Sequence, residues 1–187
     1  MADVARHTAT RWLAIAASAL LFILALTGCG SSSTAACPTG PGIATFHVPS
    51  QAMEPTIPAN SDILVNTRYY KTHPVASGDI IVFRPPPLAF PSSLGIPDLI
   101  KRVIGLPGET ISSANGNVLI NGSVLVEPWL PRDVPLGPPI METTIPAGDY
   151  YVLGDNRTGS DDSRYFGPIS GKLIVGKVET NHWKVCS

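Results

Sequence analysis

The chain has 187 residues and a net charge of -1 at pH 7, with 19 prolines and 17 glycines. This length suits one domain with a substantial core, and the lack of a basic balance argues against nucleic acid as a partner. No histidine is paired with a cysteine or carboxylate at a metal-ligand spacing, so we expect no metal and no other cofactor. The many turn formers, without long helical patterns, favour a mainly β fold.

Residues 1–28 have the pattern of an export signal. Arg6 and Arg11 precede Trp12 to Leu26, an uncharged run rich in Ala, Leu and Ile, as in a basic start followed by an apolar segment. The run is shorter than the about 20 residues of a membrane span and reaches that length only with the uncharged residues after it. The basic residues place the N-terminus on the cytoplasmic side, so the rest of the chain is expected outside the cytoplasm and near a membrane.

Cys29 ends this segment in the sequence Leu26-Thr27-Gly28-Cys29. The pattern is similar to the bacterial lipobox, in which the cysteine is lipidated and becomes the new N-terminus. The alternative is a cysteine that ends a transmembrane anchor, and the short motif leaves both open. A single acyl chain holds weakly, so lipidation would need several chains for stable attachment to membrane lipid.

The other two cysteines lie near the two ends of the exported part. Residues 29–42 consist mostly of Ser, Thr, Ala, Gly and Pro, as in a flexible tether, and contain Cys37, whereas Cys186 lies next to the C-terminus. An oxidising compartment permits a disulfide between them. We expect this bond, which would stabilise the folded state by about 4–5 kcal/mol in the chain-entropy model.

Residues 43–187 predict one domain built from short strands. Strands are expected at 44–48, 62–66, 80–83, 150–153 and 172–178, with a hairpin at 118–126 across Asn121-Gly122. The run 80–83 is apolar throughout, which is typical of a strand buried on both faces. Arg84 to Pro91 contains too many prolines to continue a sheet. It is expected to be a surface loop, either a stiff connector or an apolar patch that enters the membrane interface.

Four stretches together carry a resemblance to a known family. They are Pro49-Ser50-Gln51-Ala52-Met53-Glu54-Pro55-Thr56, Gly78 to Phe83, Lys101-Arg102-Val103-Ile104-Gly105-Leu106-Pro107-Gly108, and Gly154 to Arg157 with Ser160 to Arg164. The first alone is typical of an ordinary proline-flanked loop. In this order, after an apolar segment, they resemble the four boxes of type I signal peptidases, the membrane-anchored serine endopeptidases that remove signal peptides from exported proteins. The third box, Lys-Arg-Val-x-Gly-x-Pro-Gly, is matched completely.

The resemblance covers Phe46 to Val178 and implies the architecture and location of the chain. The fold would be a single domain of coiled antiparallel sheets, with residues 115–129 as a reduced version of the family's variable cap. The domain would lie on the extracytoplasmic side of the bacterial cytoplasmic membrane, held by the N-terminal segment or by lipid. Its partners would be the signal peptides of exported preproteins.

A serine–lysine mechanism is also implied, in which lysine replaces the histidine base of the usual triad. Lysine normally titrates near 10.4 and acts as a base only where burial disfavours its charged form. Lys101 lies within an apolar stretch that suits this role. Ser160 would hydrogen-bond and orient the lysine amine, and the Ser50 hydroxyl with the backbone N–H of residue 52 would form the oxyanion hole.

The remaining roles that the resemblance implies are structural support and substrate binding. Asp162 and Arg164 would form an ion pair beside the site, in one loop with Asn156 and Arg157. Small apolar pockets suit the Ala-x-Ala pattern that precedes a signal-peptide cleavage site. Their lining would come from Phe46, Val48, Met53 and Ile100.

The chain departs from the family at the nucleophile, where the first box has serine and this sequence has Ala52. A methyl group cannot attack a carbonyl, and losing the serine of such a unit costs on the order of 10⁶ in rate in a comparable enzyme. Ser50 belongs to the oxyanion hole and is not expected to substitute. Either the chain is an engineered serine-to-alanine form that traps substrate, or it is a natural homologue that has lost catalysis.

Two functions therefore stay open. One is a signal peptidase whose active form carries serine at position 52. The other is a non-catalytic exported lipoprotein that binds peptides or a partner at the membrane surface. A third class, the cytoplasmic serine–lysine self-cleaving repressors, is disfavoured by the export signal and by the absence of a DNA-binding segment.

Overall fold

The structure is a computed structural model that describes residues 40–87 and 97–179. The expectations for the leader, for Cys29, Cys37 and Cys186, and for the end of the proline-rich loop fall outside the described residues. Within the described ranges, no helix is long and apolar enough to cross a membrane. The same ranges contain no group of His, Cys, Asp and Glu side chains that is arranged to hold a metal ion.

Two antiparallel sheets make up the described residues, which confirms the mainly β prediction. The strands are β1 Ile43–Val48, β2 Ser61–Asn66, β3 Ile80–Phe83, β4 Leu99–Gly105, β5 Thr110–Ala114, β6 Asn117–Ile120, β7 Ser123–Val124, β8 Thr143–Thr144, β9 Asp149–Leu153, β10 Ile169–Ser170 and β11 Ile174–Val178. The larger sheet has seven strands in the order β1-β2-β11-β3-β4-β9-β10, and the smaller has four in the order β7-β6-β5-β8. The helical elements are the 3₁₀ turns Tyr69–Lys71 and Gly171–Leu173 and the α-helix α1, Ser163–Phe166.

Strand β3 is buried on both faces, as its sequence predicts. Ile80 and Val82 belong to one hydrophobic cluster, and Ile81 and Phe83 belong to another. Side chains alternate between the faces of a strand, so this four-residue run contributes to two cores at once. The large sheet therefore has hydrophobic side chains packed against both of its faces at β3. Strand β4, which pairs with β3, lies in the same buried region.

The smaller sheet begins from a tight hairpin. Asn121 and Gly122 have φ values of 51° and 78°, and positive φ at both central residues is the requirement of the two-residue turn that suits a hairpin. The hairpin predicted at 118–126 is therefore confirmed, with β6 and β7 as its strands. Ile111 and Val118 from this sheet share a hydrophobic cluster with Ile104 and Leu153, so the smaller sheet packs against the large one.

Two features of the fold differ from the sequence prediction. The last strand was expected at 172–178 but begins at Ile174, because residues 171–173 form a 3₁₀ turn in which the Ser170 side chain accepts a hydrogen bond from the Lys172 amide. The stretch around Lys101, for which no strand was predicted, is the strand β4. It pairs with β3 through Ile81 and Lys101 and with β9 through Arg102 and Leu153. This places Lys101 inside the large sheet.

Candidate active site

A groove of about 720 Å³ brings the candidate catalytic residues together. Two runs of consecutive residues flank it, 45–50 from the end of β1 and 97–101 from the start of β4. Ala52, Gly159 and Asp161 lie along it as well, with Ile63 and Val82. Position 52, Ser50 and Lys101 therefore face one space, which is the arrangement that the sequence implied for a nucleophile, an oxyanion hole and a base.

The loop after β9 holds the backbone at position 52. The Asn156 amide donates to the Ala52 carbonyl at 3.1 Å, and the Asn156 side-chain amide donates to the Gln51 carbonyl at 3.2 Å. Gly154 packs so closely here that a Cβ would lie 2.5 Å from the Ala52 oxygen and 2.2 Å from Ser160 Oγ. Only glycine fits, so loop 154–162 is pressed against position 52.

Lys101 has the environment of a lysine base. Its side chain is buried, with 3% of the residue exposed, and its Nζ donates to the Ile100 carbonyl at 3.0 Å. Burial lowers the pKa of Lys101 from 10.5 to about 8, while the nearby carboxylates of Asp162 and Asp161 oppose that shift and Arg164 adds to it. A substantial fraction of the amine is therefore neutral near pH 8, as proton abstraction from a hydroxyl requires.

This titration gives a direct prediction. Lys101 in the full chain should react with an amine-acylating reagent with a midpoint near pH 8, because only the neutral amine is nucleophilic. A short lysine-containing model peptide added to the sample should instead follow the ordinary lysine value near 10.4. Mass spectrometry of peptides labelled across a pH series measures both in one sample. Parallel profiles for Lys101 and the model peptide would contradict the burial argument.

Two sequence-based expectations need correction. The hydrogen bond from Ser160 to the Lys101 amine is not formed: Ser160 Oγ is buried without a hydrogen-bond partner, and Lys101 donates to the Ile100 carbonyl instead. Met53 does not line the groove. It is fully buried in the hydrophobic cluster with Ile57 and Ile63, because its side chain points into the core.

The other expected lining residues do face the groove, namely Phe46, Val48 and Ile100. Ile63 and Val82 lie there too and were missed by the sequence reasoning. Each is the cross-strand neighbour of an expected residue, Ile63 opposite Phe46 and Val82 opposite Ile100. Directly opposed residues share a face of the sheet, so the register of two strand pairs would have identified both.

The ion pair expected between Asp162 and Arg164 is present. Arg164 donates to the two carboxylate oxygens at 2.8 Å and 2.7 Å, and both side chains are almost fully buried. Asp162 also accepts from the Gly154 amide at 3.0 Å. The pair thus fixes both ends of the loop that carries Ser160.

A second buried ion pair, between Arg102 and Asp155, was not anticipated. Arg102 donates to the two Asp155 oxygens at 2.9 Å and 2.6 Å and to the Gly78 carbonyl at 2.8 Å. The Thr56 hydroxyl donates to the same carboxylate. One residue from each of the four sequence stretches therefore meets at this point. The sequence gives one indication of such a pair, because a second charged residue, Arg102, follows Lys101 in an otherwise apolar strand.

Comparisons with known proteins identify the family to which the chain is similar. The chain matches the family model described as "Signal peptidase, peptidase S26" over residues 11–183. A crystal structure of a signal peptidase I from Enterococcus faecalis V583 aligns with 32% identity and a TM-score of 0.45, covering 56% of this chain and 97% of that one.

Two curated relatives are similar over most of the sequence. Signal peptidase I of Leptolyngbya laminosa is 39% identical over 152 residues, which are 77% of this chain and 73% of the relative. Signal peptidase I V of Bacillus subtilis is 35% identical over 145 residues, 71% of this chain and 82% of the relative. On the family model and these relatives, the chain belongs to the signal peptidase family, peptidase S26.

Proposed function

We propose that the groove binds the end of a signal peptide of the Ala-x-Ala type, with the scissile carbonyl next to position 52. One observation carries the proposal: position 52, Ser50 and the buried amine of Lys101 line the same apolar groove. Its volume of about 720 Å³ is within the usual range for a ligand site. Membership of the family supplies the reaction, the removal of signal peptides.

The shape of the groove favours an extended peptide. Residues 45–50 and 97–101 line it as two runs of consecutive residues, and β1 is an edge strand of the large sheet. An edge strand offers unpaired N–H and C=O groups to a peptide added beside it. Side chains of such a peptide alternate in direction, so every second residue would meet the apolar wall of Phe46, Ile63 and Val82.

The mechanism needs one atom that the chain lacks. With a serine hydroxyl at position 52, neutral Lys101 would take its proton, the oxygen would attack the carbonyl, and Ser50 with the backbone N–H of residue 52 would bind the developing oxyanion. With Ala52 there is no attacking oxygen. The chain as written is therefore a form that binds signal peptides without cleaving them.

Binding without cleavage also supports a second function, a non-catalytic lipoprotein that holds exported peptides or a partner at the membrane surface. Ala52 itself is the observation in its favour. In both cases the domain lies on the extracytoplasmic side of the membrane, held by the N-terminal segment or by lipid on Cys29. The mass of the mature N-terminus distinguishes these two attachments.

Peptide binding by the chain as it exists tests the proposal. A labelled signal peptide with Ala at the last and third-last positions should bind and be recovered intact. A matched peptide with Trp at the last position should bind at least about tenfold more weakly, about 1.4 kcal/mol, because a bulky ring does not fit a pocket shaped for a methyl group. Fluorescence anisotropy measures both affinities. Equal affinities, or no binding of either peptide, would contradict the proposed site.

A further inference from the structure

Residues 127–137, which we call the brace, connect β7 with β8 and contact three arginines of the candidate site. Arg102, Arg157 and Arg164 each bond to a group of loop 154–162. Each also contacts the brace, through Trp129, Glu127 and Leu136 in the same order. The brace thus meets the site at three separate points, although it lies far from the groove in sequence.

The first contact is an ion pair between Glu127 and Arg157. Two hydrogen bonds form it, one of them from Arg157 Nη1 to Glu127 Oε2 at 3.0 Å. The side chains are 2% and 15% exposed for Arg157 and Glu127. The remaining Arg157 donor, Nε, bonds to the Gly154 carbonyl at 3.0 Å. The Arg157 guanidinium therefore links Glu127 to Gly154, the glycine that packs against Ala52 and Ser160.

The second contact places Trp129 over Arg102. The ring centroid lies 4.9 Å from the guanidinium carbon, a distance at which a cation is attracted to the face of an aromatic ring. The same ring packs against Gly78, where a Cβ would lie 3.2 Å from it. Trp129 therefore packs on the Arg102 guanidinium and on Gly78, the residue whose carbonyl accepts a hydrogen bond from Arg102.

The third contact joins the C-terminal end of the brace to loop 154–162. Arg164 Nη1 donates to the Leu136 carbonyl at 2.8 Å and to the Arg157 carbonyl at 2.6 Å. Gly137 has a φ of +74°, and a Cβ there would lie 2.5 Å from the Arg157 oxygen. This approach is possible only for glycine.

We propose that Glu127 and Trp129 are positioning residues, which act through Arg157 and Arg102 to hold loop 154–162 against position 52 and to keep water away from Lys101. A buried guanidinium without its carboxylate is costly, so Arg157 would move towards solvent if Glu127 were neutral. Its bond to the Gly154 carbonyl would then be lost. The loop next to Lys101 would open, and the desolvation of the amine would decrease.

The titration of Lys101 in the full chain tests this inference without any need for cleavage. Glu127→Gln should raise the pH midpoint of Lys101 acylation by about one unit, towards the ordinary lysine value. The groups that act on Lys101, Asp161, Asp162 and Arg164, are unchanged by this substitution. Glu142→Gln is the matched control, because it makes the same chemical change at an exposed position before β8. Its midpoint should equal that of the unmodified chain.

Conservative variants separate positioning from folding. Trp129→Ala should raise the Lys101 midpoint as Glu127→Gln does. Glu127→Asp and Trp129→Phe keep a carboxylate and a ring, so each should give a midpoint between that of the unmodified chain and that of the larger change at the same position. Thermal unfolding curves show the temperature below which each variant is folded, and the titrations are measured there. If Glu127→Gln or Trp129→Ala does not fold, the two conservative variants decide. Folded variants whose Lys101 midpoints all equal that of Glu142→Gln would overturn the inference, whether or not a serine at position 52 restores cleavage.

Discussion

The substitution Ala52→Ser is expected to give a chain that cleaves a signal peptide of the Ala-x-Ala type, which the chain with Ala52 leaves intact. It adds one oxygen to a side chain that already lines the groove beside Lys101. The base, with its pKa lowered to about 8, and the loop that fixes the backbone at position 52 are both in place. The gain should be on the order of 10⁶ in rate, the amount lost when the serine of a comparable unit is removed.

The experiment follows the two peptide fragments by mass spectrometry, with the full chain in detergent. Adding Lys101→Met to the Ala52→Ser chain should abolish cleavage, and adding Ser50→Ala should lower it by about 10²–10³ because one oxyanion donor is lost. Ala147→Ser makes the same change at an exposed position outside the groove and should remain inactive. Peptide binding without cleavage by the Ala52→Ser chain would reject the peptidase function and favour the non-catalytic binder.

Local patterns in the sequence explain why much of the fold was predictable. The apolar run of β3 and the Asn121-Gly122 turn depend on a few neighbouring residues, and both were identified correctly. The burial of Lys101 was expected from the resemblance of its stretch to the third family box, and the apolar residues around it suit that burial. Such features require no knowledge of which strands pair, and a single sequence is enough to find them.

Features that depend on tertiary contacts could not be read in this way. The sequence does not state the register that sets Ile63 opposite Phe46, so part of the groove wall was missed. Met53 was assigned to the groove on the family resemblance, whereas the chain turns at this point and directs its side chain into the core. The pairing of Glu127 with Arg157 joins residues 30 apart. Only the packing of the two sheets brings them together.

The Arg102–Asp155 pair gives the largest expected effect on stability. Asp155→Asn should lower the free energy of unfolding by about 3–5 kcal/mol, because it leaves a buried guanidinium without its countercharge. The side chains are 6% and 0% exposed for Arg102 and Asp155, so solvent cannot replace the lost carboxylate. Urea denaturation of the full chain measures the change. Asp133→Asn, the same substitution at an exposed residue, should change stability by less than about 0.5 kcal/mol.

The double substitution Arg102→Met with Asp155→Leu separates the net contribution of the ion pair to stability from the cost of leaving one charge buried without its partner. Because both charges are removed together, the double variant should be less destabilised than the Asp155→Asn chain, even though it also loses the Thr56 and Gly78 hydrogen bonds. A strong coupling of this kind is expected for residues in direct contact. If Asp155→Asn cost no more than Asp133→Asn, the four sequence stretches would not be held together by this ion pair. The loop that carries Asp155 would then owe its position to the Asp162–Arg164 pair and to the brace.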